Sequence, residues 1–155
     1  MIEANSAFST SSSTSKARII QLANDAARVR LNEPVRAWRP PVLRRLSELV
    51  CLPVGWDGYH GVPVGSENAF FALMMLEVTC PYDAPAPDIV PGSGGDLQIE
   101  WHTMTADVEL HVRSPNDVLA WRSVGSGGEE PVEIALTNDF TVVACWIKEL
   151  MGSSG

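Results

Sequence analysis

Two stretches of this chain carry side chains able to move protons, hold a cation or anchor a partner. The first is a pair of strand-like segments, Leu97-Gln98-Ile99-Glu100-Trp101-His102 and Val108-Glu109-Leu110-His111-Val112-Arg113. Apolar residues alternate with Gln98, Glu100 and His102 on one segment, and with Glu109, His111 and Arg113 on the other. Period-two alternation of this kind predicts a half-buried antiparallel hairpin with one wet face. The second is the loop Leu52-Pro53-Val54-Gly55-Trp56-Asp57-Gly58-Tyr59-His60-Gly61, where an indole, a carboxylate and a phenol lie among glycines.

Burying both apolar sets fixes the hairpin register. Trp101 then faces Val108, Ile99 faces Leu110 and Leu97 faces Val112, with Thr103 to Ala106 as the connecting loop. The same register sets Glu100 opposite Glu109, His102 opposite Asp107 and Gln98 opposite His111. A slip of one residue would drive charges into the core. Two facing glutamates cost a few tenths to about 1 kcal/mol on a sheet surface, an arrangement that invites a cation. Three sources are open. One is an arginine or lysine elsewhere in the fold, or water and salt. Another is a basic partner docking on Glu100, His102, Glu109 and His111. The last is a divalent metal held by Glu100 and Glu109 with His102, His111 or Asp57, although no compact motif such as His-Glu-x-x-His is present.

Other chemistry has less to stand on. The chain has no Gly-x-Ser-x-Gly elbow, P-loop or dinucleotide fingerprint. Gly92-Ser93-Gly94-Gly95 and Gly125-Ser126-Gly127-Gly128 lie between strands and read as turns. Facing carboxylates on adjacent strands sit too close for an inverting glycosidase. Cys51, Cys80 and Cys145 are an odd, widely spaced set among apolar residues, and read as buried reduced thiols. No catalytic residue and no cofactor is expected. In the loop, Trp56 reads as a plug in the core, with Asp57 binding backbone amides and Gly55, Gly58 and Gly61 permitting positive φ. The competing reading makes Trp56, Asp57 and Tyr59 an exposed recognition site.

The elements that must position these residues follow from periodicity. Residues 1–15 read as a disordered tail, rich in hydroxyl side chains and without the apolar run of a signal peptide, so a cytoplasmic location is expected. No run approaches the ~20 apolar residues that span a bilayer. Residues 16–39 read as a basic arm, with Ile19, Leu22, Ala23, Ala26 and Val29 at helical spacing followed by a linker. A helix opens at Pro40-Pro41 and runs to Val50, and a second, capped by Ser66, runs to about Val78. Its apolar residues lie on nearly all sides, so burial is expected. A proline-rich crossing with an edge strand at Asp88 to Val90 leads into the hairpin. Strands at 118–124 and 132–136 follow, then a helix capped by Thr137 or Asn138. The prediction is an α+β domain over residues 40–151, a β-meander of four to five strands with helices on one face, and a flexible tail at 152–155.

Charge is divided unevenly. Residues 1–50 carry a net charge of +4 and residues 51–155 carry −12, which gives the overall −8. A basic arm on an acidic body steers association with charged partners. The body should repel nucleic acid, and only the arm, through Arg28, Arg30, Arg36 and Arg39, is suited to touch it or a partner.

The run Leu52-Pro53-x-x-Trp56-Asp57-Gly58-Tyr59, then Pro63, Pro87, Pro91, Gly94-Gly95 and Glu100-Trp101, resembles a group of short bacterial proteins. These carry an L-P-x-x-W-D-x-Y-G-A loop and a D-G-G-x-x-x-E-W strand. The likeness covers roughly residues 48–113. This chain has His60-Gly61 where the group has Gly-Ala, and Ser93-Gly94 where the group has Asp-Gly. The resemblance implies no activity; its association with toxin–antitoxin and mobile-element genes is a hint of context only. The expected function is a non-enzymatic protein-binding module of antitoxin, immunity-protein or accessory-subunit type, its acidic body meeting a basic partner encoded by an adjacent gene. The alternatives are a metal-dependent hydrolase or metal-binding domain centred on Glu100 and Glu109, and a structural subunit that uses Trp56 and Tyr59 at an interface.

Overall fold

Alternating burial runs through residues 97–102 and 106–112, as the sequence pattern requires. The computed structural model describes residues 34–125, 127 and 129–152. In chain order these form α1 (Arg39–Val50), α2 (Ser66–Thr79), β1 (Asp88–Pro91), β2 (Leu97–His102), β3 (Ala106–Ser114), β4 (Asp117–Val124), β5 (Val132–Leu136) and α3 (Thr141–Gly152). The strands make one antiparallel meander in the order β1-β2-β3-β4-β5. The predicted α+β architecture is therefore the observed one. The arm at 16–33 and the tails at 1–15 and 153–155 lie outside the described residues.

Leu97, Ile99, Trp101, Val108, Leu110, Val112, Val118 and Ala120 point to one side of the sheet and are buried there against Leu46, Leu49, Leu76 and Ile147 of the helices. Each buried valine, leucine or isoleucine among them contributes about 1.5–3 kcal/mol. The register between β2 and β3 is the one that burial of both apolar sets demands, from Leu97↔Val112 to His102↔Asp107. The connection is tighter than expected. β3 already begins at Ala106, and the Thr103 hydroxyl donates to the Ala106 carbonyl (2.7 Å) and accepts from its amide (3.0 Å), closing the turn in three residues.

The segment read as linker belongs in part to the core. Trp38 is fully buried, and its indole N–H donates to the Pro81 carbonyl (2.9 Å), pinning the chain before α1 to the end of α2. Beside it Glu77, the buried carboxylate of α2, pairs with Arg39 (2.5 Å) and Arg36 (3.4 Å). Arg36 also donates to the carbonyls of Glu77 and Cys80, the acceptors that the end of the helix leaves over.

Helix boundaries shift from the predicted caps. Gly65, not Ser66, takes the N-cap position of α2, with extended backbone and no side-chain cap. Asp139, not Thr137 or Asn138, organises the start of α3, accepting from the Thr141 amide (3.0 Å) and hydroxyl (2.6 Å). Those bonds, the hydroxyl first and then the amide, hold the Asp139 carboxyl below its ordinary range. The burial expected of α2 is incomplete, because Val78 is 70% exposed and Met74 is exposed too. Among the cysteines only Cys80 is buried, and desolvation pushes its thiol up to about 12; Cys51 and Cys145 are exposed, and all three are free.

Candidate functional site: the acidic outer face of the sheet

With the helices on one side, the polar positions of the strands fall on the other. Cα pairing sets Asp88 opposite Glu100, Glu100 opposite Glu109, Glu109 opposite Trp121 and Trp121 opposite Glu133. One row thus crosses all five strands with four carboxylates and an indole. The row beside it reads Val90, Gln98, His111, Leu119 and Ala135. Directly opposite residues on neighbouring strands have Cβ atoms roughly 4.5–5.5 Å apart, so each member of the row touches or faces the next.

Among the described residues, basic side chains of the sheet engage some of the carboxylates on and beside this face. His102 sits between two carboxylates, with Nε2 3.1 Å from Glu100 and Nδ1 3.1 Å from Asp107. The bond to Glu100 and then the bond to Asp107 raise the imidazole pKa above its ordinary 6.5. His111 Nε2 lies 2.5 Å from the Asp96 carboxylate. Partial burial opposes ionisation of Asp96, but the His111 bond and the backbone amides outweigh it and its pKa falls. Arg113 pairs with Asp117 (2.5 Å) at the β3–β4 turn. Glu109 and Glu133 are left over: among the described residues neither takes part in an ion pair or a side-chain hydrogen bond.

The bridge makes a measurable prediction. Because the folded pKa of His102 is raised, the stability it contributes is fully present below pH 6.5 and is lost as pH rises through the folded value. In a ¹H–¹³C titration His102 should titrate above 6.5, and Glu100→Gln should return it toward that value. A midpoint unmoved by Glu100→Gln contradicts the bridge.

The Trp-Asp-Gly-Tyr loop lies elsewhere. Asp57 Oδ1 accepts from the amides of Tyr59 and Gly61 (both 2.9 Å), which lower its carboxyl pKa. Positive φ occurs at Gly55 (79°) and Gly58 (84°) as expected. Gly61 is required for a different reason: a Cβ there would stand 2.7 Å from the Asp57 carboxyl carbon. Trp56 does not plug the core. It is half-buried within the loop and donates from its indole to the Val62 carbonyl (2.9 Å). Tyr59 is 83% exposed. The loop rests on the Gly92–Asp96 turn through Val62 N–H to Ser93 O (3.0 Å). That turn precedes β2, roughly 13 Å along the strand from Glu100. The seven residues read as partner-binding therefore divide into two groups, with Trp56, Asp57 and Tyr59 in one and Glu100, His102 and Glu109 in the other; His111 lies between, tied to the turn through Asp96.

Of the arm residues, Arg36 and Arg39 are engaged with Glu77, on the helix α2. Arg28 and Arg30 lie outside the described residues. Among the described residues no group of three or more His, Cys, Asp or Glu side chains is placed to hold a metal ion. No helix there is long and apolar enough to cross a membrane.

Three members of the row, Asp88, Trp121 and Glu133, escape the sequence reading. Val118-Leu119-Ala120-Trp121 is apolar at four successive positions, so alternation alone does not say which residues face out. Only pairing to β3 through Glu109↔Trp121 resolves it.

No family model, curated protein or solved structure matches the chain.

Proposed function

We propose that this chain is a non-enzymatic protein-binding module, of antitoxin, immunity-protein or accessory-subunit kind in a bacterial defence or mobile-element system, whose outer sheet face docks a basic partner protein. The observation that carries the reading is the row Asp88–Glu100–Glu109–Trp121–Glu133, in which the carboxylates on β3 and β5 pair with no cation among the described residues. Complementary charge on a partner relieves that repulsion and speeds encounter, and an aromatic residue in the row supplies apolar contact area. The −12 carried by residues 51–155 adds a long-range field of the same sign. The reading of a bacterial context rests on the resemblance at residues 48–113 alone.

Metal-dependent chemistry at Glu100 and Glu109 has less support, since His102 already engages Glu100 and no third ligand converges with the pair among the described residues. Affinity capture alongside the product of an adjacent gene tests the leading reading. The expected result is retention of a basic protein, weakened by salt and abolished by Glu109→Lys with Glu133→Lys. Failure to retain any neighbour-encoded product, or retention indifferent to the charge reversal, overturns it.

A further inference from the structure

A depression of about 250 Å³ opens on the outer sheet face, lined by Gln98, Glu109, His111, Leu119, Trp121 and Glu133. Its volume lies below the roughly 300–1,000 Å³ of small-molecule pockets, and is on the scale of one long side chain. We infer that it receives a single arginine side chain of the docking partner, an inference that rests on the protein-binding reading above.

Geometry and charge select this occupant. Glu109 and Glu133 stand opposite Trp121 from the two flanking strands, so carboxylates bracket the indole on both sides. Among the described residues, the basic side chains of the sheet are engaged elsewhere: His102 with Glu100 and Asp107, His111 with Asp96, Arg113 with Asp117, Arg122 with Glu149. The indole N–H is also uncommitted. Trp38, Trp56 and Trp101 each donate to a backbone carbonyl, whereas Trp121 has no acceptor among the described residues. Leu119, opposite His111 in the neighbouring row, gives an apolar surface for a methylene stem.

A guanidinium fits these features better than an ammonium. It is planar and stacks on an indole face, it offers several N–H donors to carboxylates on either side, and it is the more weakly hydrated of the two cations. Lysine, a compact and strongly hydrated charge, gains from the carboxylates but less from the ring.

The test titrates the full chain, ¹⁵N-labelled and at low salt, with three otherwise identical short basic peptides whose central residue is arginine, lysine or citrulline. The arginine peptide should shift the Trp121 indole N–H resonance saturably and bind about fivefold tighter than the lysine peptide. The citrulline peptide should leave that resonance in place. Trp121→Leu should bring the arginine peptide down to the lysine level, and Glu133→Gln should weaken it with the fold intact, while Trp56→Leu changes neither. Equal binding of the arginine and lysine peptides, with shifts spread over the whole face, sinks the arginine pocket and leaves the docking face standing. No binding of any basic peptide overturns both.

Discussion

Trp38→Ala is expected to lower stability by about 3–5 kcal/mol, the loss found when a large aromatic is removed from a packed core. Trp38 is wholly buried and its N–H holds the Pro81 carbonyl, so the substitution leaves both a cavity and an unsatisfied acceptor. Urea unfolding followed by far-ultraviolet circular dichroism measures it. Trp56→Ala is the control: the ring lies in a surface loop outside the core cluster, and the midpoint should move little. Equal losses at the two positions would return Trp56 to the core and contradict the structure.

The second large effect is expected at Glu77. Its side chain is 5% exposed and faces the guanidinium groups of Arg36 and Arg39, each 19% exposed. Removing one partner of a fully buried pair costs ~3–5 kcal/mol; the partial exposure of both arginines brings the expectation for Glu77→Ala to about 2–3 kcal/mol. Glu77→Gln keeps an acceptor for Arg39 and should lose less. The same unfolding curves check this, and a Glu77→Ala protein as stable as the parent contradicts a structural role for the ion pair. Because the cluster joins the chain before α1 to α2, it also assigns Arg36 and Arg39 a task inside the fold, whatever Arg28 and Arg30 do.

The contrast between these residues shows how far the sequence could be read. The hairpin register was legible because two strands alternate cleanly and any slip would bury charge; all six pairs from Leu97↔Val112 to His102↔Asp107 follow. The extent of β5 was equally legible from Val132, Ile134, Ala135 and Leu136 lying between turn residues. Trp38 was not, since one indole between Pro34 and Pro40 has no periodic neighbours, and its burial depends on a carbonyl 43 positions away. Trp56 misled for the complementary reason: a tryptophan among apolar residues suggests burial, yet Asp57 and the glycines around it build a loop with its own hydrogen bonds. Cys51 and Cys145 show the same limit, exposed despite apolar neighbours, one at the end of α1 and the other within α3.

The wet face divides in the same way. Glu100 opposite Glu109 came from pairing two alternating strands. His102 as a bridge between Glu100 and Asp107 needed rotamers as well as register. Extension of the row to Asp88 and Glu133 needed the order of strands, which alternation within one strand does not contain. The same ordering brings Trp121 between two carboxylates that are 24 residues apart in sequence, and extends a frustrated glutamate pair into an acidic row that includes an aromatic.

Zero-length carbodiimide cross-linking of the complex with its partner tests the docking face most directly, because each link joins a carboxylate to an amine in contact with it. Mass spectrometry of the linked peptides should place the partner's lysines on Glu109, Glu133 and their neighbours Asp88 and Glu100. Links confined to Glu48, Glu67 or Glu149 of the helices, with the sheet carboxylates unmodified by the partner, would contradict the assignment of this face.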